Sequence, residues 1–346
     1  MTVRVGINGF GRIGRNIFRA ARDATDIEIV AVNDITHAAT LAHLLRHDSV
    51  LGPYPGTVTV DGDRLVVDGR PVRVYAEREP GAVPWSQLEA PIVLEASGHF
   101  TDAARARAHI DRGGAHTVII TAPATHEDLT ICLGVNQGAY DPSRHRVLSN
   151  ASCTTNCLAP VAQVLHQRFG IEAGLMTTVH AYTNDQVLLD GPHADLRRAR
   201  AAALSIIPTS TGAAKALALV VPELAGRVHG LALRVPVANV SLVDLTATVS
   251  RPATVPAVTQ AFQEAAAGPL AGILSVSNEP LVSCDFRGDR HSSIVDLGST
   301  MVIGERLLKV LSWYDNEWGY SCRVVELAQM VAARIPADMP VAGRHG

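Results

Sequence analysis

No apolar run in this 346-residue chain reaches the roughly 18 residues that a membrane-spanning helix needs, so the pattern excludes a helical membrane protein. A net excess of either charge is lacking too. The net charge is -3 at pH 7, which leaves no field to gather nucleic acid or anionic lipid without specific contacts. Lysine is almost missing, since Lys215 and Lys309 are the only two among 30 basic residues; coding bias explains that before phosphate chemistry does. Five cysteines in a chain of this length make no disulfide framework. Met1-Thr2-Val3-Arg4 opens into a strand pattern and not a signal peptide, so reduced thiols in a cytoplasm are the expectation.

What is present is ample apolar material. At 47% hydrophobic residues, the length predicts two domains, each with an ordinary core. Residues 1–36 read as a βαβ unit, with strands at Val3–Ile7 and Ile27–Val32 around a Gly-rich turn and a helix. A helix at Ala38–Arg46 follows, then short strands at Thr57–Val60, Arg64–Val67 and Pro71–Tyr75. Strands at Ile92–Ala96 and Thr117–Thr121 bracket one helix over Ala103–Ile110, and Arg146–Ser149 adds another strand. Near-continuous apolar strands alternating with helices imply a parallel sheet covered on both faces. After Ser152 a helix (Thr155–Phe169) leads into strands at Leu175–His180, Gly230–Val235, Ser241–Ser250 and Leu307–Trp313. Helices are expected at Gly212–Val221 and Val255–Ala266, and Tyr182–Arg200 reads as a long ordered loop.

Three constellations carry chemistry. Gly9-Phe10-Gly11-Arg12-Ile13-Gly14 follows a strand and opens a helix, where glycines allow a tight turn and helix N–H groups face a pyrophosphate. Asp34, twenty residues after Gly14, ends the next strand, where a carboxylate accepts from ribose hydroxyls and repels a 2′-phosphate. In Ser149-Asn150-Ala151-Ser152-Cys153-Thr154-Thr155-Asn156-Cys157, a strand ends and a helix begins. Cys153 therefore stands at a helix N-terminus, where the dipole favours thiolate, while Cys157 one turn on reads as a buried structural thiol. His180 closes an apolar strand, and its pairing with the thiol makes it the candidate base beside the nucleophile.

The third group suits anions. Pro208-Thr209-Ser210-Thr211-Gly212 precedes a helix. Arg234 lies in a half-buried strand, where either a carboxylate partner or an anion would satisfy it. Arg197-Arg198-Ala199-Arg200 stays open between a solvated face, a subunit contact and a phosphate site. His43 and His47 have metal spacing without a third ligand and read as structural, and no metal is expected. Asn150-Ala151-Ser152 and Asn239-Val240-Ser241 fit a glycosylation pattern that has no meaning without a secretory signal.

Ile7-Asn8-Gly9-Phe10-Gly11-Arg12-Ile13-Gly14-Arg15, the Cys153 segment, His180-Ala181-Tyr182-Thr183, Pro208 to Lys215, and Trp313-Tyr314-Asp315-Asn316-Glu317-Trp318-Gly319-Tyr320 together resemble the phosphorylating glyceraldehyde-3-phosphate dehydrogenase family. The resemblance runs from Val3 to about Ala333. It implies an α/β fold: a Rossmann-type doubly wound parallel sheet domain (1–151) and an α+β catalytic domain with a mixed or antiparallel sheet (152–316). A C-terminal helix (317–334) would pack back on the first domain, and a tail (335–346) is expected to be mobile.

The resemblance also implies roles. Cys153 attacks the aldehyde of D-glyceraldehyde 3-phosphate and His180 serves as base, giving a thiohemiacetal and then a thioester that inorganic phosphate resolves. Thr183 and Arg234 would hold the substrate phosphate, with Arg198 at or beside the anion sites, and Ser152, Thr154, Thr211 and Gly212 the attacking one. NAD would be bound through Asn8, Gly9, Phe10, Gly11, Arg12, Ile13, Gly14, Asp34, Arg78, Ser97, Gly98, Thr121, Asn316 and Tyr320, with Asn316 orienting the nicotinamide amide. A homotetramer is implied, with no membrane or nucleic-acid partner. Three departures stand out: Ala194 where many members carry Lys, Thr125 after the seventh strand, and Asn239-Val240 beyond Arg234. Erythrose-4-phosphate dehydrogenase, whose thioester water resolves, is the alternative activity, and a non-catalytic binding role the alternative class. An intact Thr209-Ser210-Thr211-Gly212 favours phosphorolysis over the first, and an intact Cys153/His180 pair argues against the second.

Overall fold

The computed structural model describes residues 2–335, which form two compact units. The expected tail lies, apart from residue 335, outside the described residues. The first unit holds residues 2–131, 138–151 and 321–335; the second holds residues 132–137 and 152–320.

The first unit is built on a nine-stranded sheet of β1 (Val3–Asn8), β2 (Ile27–Asn33), β3 (Val58–Asp61), β4 (Arg64–Val67), β5 (Arg70–Tyr75), β6 (Ile92–Glu95), β7 (Thr117–Ile120), β8 (Leu129–Thr130) and β9 (Val147–Ser149). Their order is β3-β4-β5-β2-β1-β6-β7-β9-β8. All neighbours are parallel except β3, β4 and β5 among themselves. Val5, Ile7, Val93, Leu94, Val118 and Ile119 are fully buried, as a sheet covered on both faces requires. Helices α1 (Arg12–Ala20) and α2 (Ala38–Arg46) follow β1 and β2. The single helix expected over Ala103–Ile110 is instead two short ones, α3 (Ala103–Ala106) and α4 (Ala108–Asp111), joined at Arg107. Asp102 caps the first by accepting the Ala104 N–H at 2.9 Å.

The second unit carries a seven-stranded sheet of β10 (Ile171–Ala181), β11 (Ile207–Thr209), β12 (Val228–Val235), β13 (Ser241–Val249), β14 (Leu274–Ser277), β15 (Ser293–Ile303) and β16 (Leu307–Tyr314). The order is β11-β12-β10-β13-β16-β15-β14, mixed in direction. Helices α5 (Cys153–Phe169) and α7 (Val255–Ala267) pack on this sheet, and α6 (Ala213–Val220) packs beside α5. Strand alternation is clean on β10, where Met176, Thr178 and His180 are buried and Leu175 is exposed. The last helix, α8 (Trp318–Ala332), starts in this unit and from Ser321 belongs to the first. Residues 182–206 contain no helix or strand. Among the described residues, no helix is long and apolar enough to cross a membrane.

Candidate functional site

In the first unit the ends of three parallel strands converge. A cleft of about 550 Å³ is lined by Asn8, Gly9, Gly11, Asp34, Arg78 and Ser97, among others. Gly9 has φ +93°, and a side chain there would stand 2.4 Å from the Ser97 backbone; one at Gly14 would stand 2.1 Å from the Gly9 carbonyl. At Gly11, which caps α1, nothing lies within 4 Å of a Cβ position. Two glycines thus close the turn and one leaves open space before a helix N-terminus, a shape that fits a dinucleotide pyrophosphate. Asp34 accepts the N–H groups of Phe10 and Thr36, each at 2.9 Å, and so braces the turn.

Six expected cofactor residues of the first unit stand outside the cleft lining: Phe10, Arg12, Ile13, Gly14, Gly98 and Thr121. Arg12 pairs with Asp48 at 3.2 Å, and Ile13 and Gly14 continue α1. Thr121 donates its hydroxyl to the Glu95 carbonyl at 3.1 Å. Gly98, at φ +75°, follows Ser97. Sequence reasoning passed over Glu95, which is fully buried. Its carboxylate accepts from Asn8 Nδ2 (2.5 Å) and from the Ser97 N–H (2.9 Å) and hydroxyl (2.5 Å), and lies 3.0 Å from His109 Nε2. A buried charge at a strand end was the available signal.

In the second unit, Ser152 caps α5 by accepting the Thr155 N–H at 3.0 Å. Cys153 is therefore the first helical residue, reached through Ala151 in a left-handed turn (φ +53°). Its Sγ lies 3.5 Å from His180 Nε2, although 27 residues separate them. Parallel register sets His180 of β10 beside Arg234 of β12. Arg234 places NH1 2.5 Å from His180 Nδ1 and donates to the Ala181 carbonyl at 3.0 Å. The Tyr314 ring meets the imidazole edge-on, centroids 6.0 Å apart, and its hydroxyl bonds the Thr154 and Thr178 hydroxyls at 2.9 Å each.

The resting protonation state differs from the expectation. The helix terminus predicts a depressed thiol, yet burial pushes the Cys153 thiol above its ordinary value, against the opposing pull of Arg234. Burial, and then the Arg234 charge, lower His180 to about 3. Both shifts favour thiol and neutral imidazole over a thiolate–imidazolium pair. Cys157 fits its structural reading: it is fully buried, its thiol pushed up to about 12 by that burial.

Among the described residues Arg234 has no carboxylate partner, and its buried Nε has no hydrogen-bond partner. Arg198 donates from NH1 to Asp185 at 2.5 Å and from Nε to the Thr209 hydroxyl at 3.0 Å. Thr183 also donates to Asp185. Asp185 thus occupies donors of two residues expected at the anion sites, Arg198 and Thr183, and sequence reasoning passed over it. Thr211 accepts the Ala213 N–H at 3.2 Å, and Gly212 caps α6 with open space at its Cβ position. Asn316 and Tyr320 are buried; Asn316 Oδ1 accepts the Ser241 hydroxyl at 2.8 Å. Asn150 and Asn239, the two glycosylation-pattern asparagines, are buried as well.

Comparison with known proteins agrees with this geometry. Residues 3–103 match the glyceraldehyde 3-phosphate dehydrogenase NAD binding domain, and residues 152–316 match its C-terminal domain. A glyceraldehyde-3-phosphate dehydrogenase of Geobacillus stearothermophilus is 59% identical over 334 residues, covering 96% of this chain and 99% of the relative. Glyceraldehyde-3-phosphate dehydrogenase 1 of Streptomyces avermitilis is 58% identical over 332 residues, with the same coverage. Glyceraldehyde-3-phosphate dehydrogenase 1 of Bacillus subtilis is 57% identical over 334 residues, again with that coverage.

Proposed function

The chain belongs to the glyceraldehyde-3-phosphate dehydrogenase family, and from that premise we propose that Cys153, His180 and Arg234 carry its chemistry. The reaction is the NAD-dependent oxidation of D-glyceraldehyde 3-phosphate to 1,3-bisphosphoglycerate, a step of glycolysis and gluconeogenesis. The observation that carries the assignment is the thiol 3.5 Å from an imidazole that a guanidinium braces on its far side.

With Nδ1–H donated to the Ala181 carbonyl, at 2.7 Å, Nε2 is free to accept the thiol proton. With Nδ1 accepting from Arg234, Nε2 carries a proton toward the thiolate or toward the oxyanion that forms when Sγ adds to the aldehyde carbon. The two tautomers thus serve proton removal and charge stabilisation. The Gly9 turn, Asp34, Arg78 and Ser97 would hold NAD, with Asn316 and Tyr320 assigned to its nicotinamide end, and NAD would supply the hydride acceptor. The oxidised carbon is then a thioester on Cys153. Inorganic phosphate, received by Ser152, Thr154, Thr211 and Gly212, attacks its carbonyl, and Sγ leaves as thiolate. Thr183, Arg198 and the free Nε of Arg234 bind the substrate phosphate.

The test is the initial rate of NADH formation with D-glyceraldehyde 3-phosphate, with and without phosphate, and again with erythrose 4-phosphate. Strong phosphate dependence and preference for the triose support the reading. Phosphate-independent turnover favouring the tetrose replaces it with erythrose-4-phosphate dehydrogenase activity.

The same proposal includes a homotetramer in the cytoplasm. Leu175, Leu231, Met301, Ile303 and Leu307 share one face of the second sheet by register, all exposed. The loop adds Leu188, Leu189, Leu196, Leu204 and Ile206, each at least two-thirds exposed. Apolar surface of that kind marks an interface. Sedimentation should return four chains per particle; a monomer would remove this part.

A further inference from the structure

Asn239-Val240, a departure in the sequence with no assigned role, leads into β13 through a backbone turn that a β-branched residue seldom adopts. Val240 has φ +69°, is buried, and packs against Phe286 and Ile294. The kink has a consequence on either side of it. Asn239 Nδ2 donates to Asp315 Oδ2 at 2.9 Å, and the Ser241 hydroxyl donates to Asn316 Oδ1 at 2.8 Å. Two residues flanking one strained position thus grip two consecutive residues of the β16–α8 turn.

The grip is directional. Asp315 also accepts the N–H groups of Gly288 (2.8 Å), Glu317 (2.9 Å) and Trp318 (2.7 Å), so four donors hold one buried carboxylate. The Ser241 oxygen accepts the Ala181 N–H at 3.1 Å, which leaves its proton for Asn316. Asn316 Oδ1 is then committed to Ser241, and Nδ2 has no partner among the described residues. The same hydroxyl ties Asn316 to the residue after His180.

We propose that the Asn239-Val240-Ser241 kink is a positioning clamp that fixes the Asn316 amide with its nitrogen free to donate, and so sets affinity for the nicotinamide end of NAD. This rests on the assignment of Asn316 to that end. An amide without the clamp can present either atom, and half of its orientations offer the wrong one.

Calorimetric titration with NAD and with ADP-ribose, which lacks the nicotinamide, separates the effects. Ser241→Ala should weaken NAD binding about tenfold and leave ADP-ribose within about twofold. Asn316→Ala should show at least the same selective loss, and the double variant no further loss. If Asn316→Ala binds NAD as the parent does, the assignment of Asn316 fails and the clamp with it. If Asn316→Ala loses NAD affinity and Ser241→Ala does not, the clamp alone fails. Equal weakening of both ligands by Ser241→Ala makes the contact merely structural and overturns the proposal. Should Ser241→Ala not fold, Asn239→Ala, which removes one of four donors to Asp315, reads the same ratio, with a smaller selective loss expected and none overturning the clamp.

Discussion

The two units solve recognition with different materials. In the first, the Gly9–Gly14 turn works through backbone: it excludes side chains at Gly9 and Gly14 and offers amides at the start of α1. In the second, Cys153, His180, Arg234 and Tyr314 come from four elements, and the site exists only because register and packing bring their side chains together. A backbone site should fail by steric exclusion, and a side-chain site by loss of one function at a time. Cys153→Ser and Gly9→Ala put that contrast to its strongest test. Serine in place of the thiol should reduce turnover by about 10⁴-fold or more while NAD still binds. The added Cβ at Gly9 should abolish NAD binding yet leave Cys153 open to alkylation by iodoacetamide. Loss of alkylation in the Gly9 variant would show that the two materials do not fail separately.

His180→Asn comes next, with turnover expected to fall about 10²–10⁴-fold, the usual worth of a positioned acid–base group. The same variant has a stability signature. His180 titrates near 3 in the fold, below the ordinary histidine value of about 6.5. Its neutral form therefore supports the fold above about 6.5, and that support is lost as pH falls toward 3, because only the unfolded chain takes up the proton. The parent should lose stability relative to His180→Asn by up to about 1.4 kcal/mol per pH unit in that window. Denaturant midpoints at pH 7 and pH 5 measure it; parallel curves would mean that His180 is not buried neutral. Arg234→Leu should cost about 10²-fold in kcat/KM. Because the guanidinium opposes the burial that raises the thiol, its removal should move the limb of the kcat/KM profile that tracks thiol ionisation to higher pH. An unmoved limb would leave Arg234 only substrate binding.

The contrast also explains what could be read from the chain. The Gly-rich turn, Asp34 and the Ser152–Cys153 helix start are local, so spacing alone placed them, and the apolar strands around them were found almost to the residue. Strand β15 escaped notice because Gly298, Ser299 and Thr300 interrupt its apolar pattern, and β8 and β11 span only two and three residues. The 3.5 Å contact of Cys153 with His180 is non-local and had to come from chemistry and resemblance. Burial reversed one local argument: the helix terminus favours thiolate at Cys153, but desolvation outweighs it. Glu95, Tyr314 and Ser241 act through hydrogen bonds across strands that no spacing rule reports.

Asp34 offers the mildest test, since it belongs to both kinds of site. Its side chain braces backbone by accepting from Phe10 and Thr36, and its charge faces the cleft. Asp34→Asn keeps an oxygen for one of those N–H groups and removes the charge. NAD affinity should drop only several-fold, while kcat/KM for NADP relative to NAD should rise about tenfold, because one unit of like charge no longer opposes a 2′-phosphate. Preference should still not invert. Glu77 and Glu79 also line the cleft, and Ile35, 62% exposed there, gives a phosphate no hydrogen bond. An inversion by this single substitution would mean that Asp34 alone sets cofactor choice, and that the cleft is governed by a side chain after all.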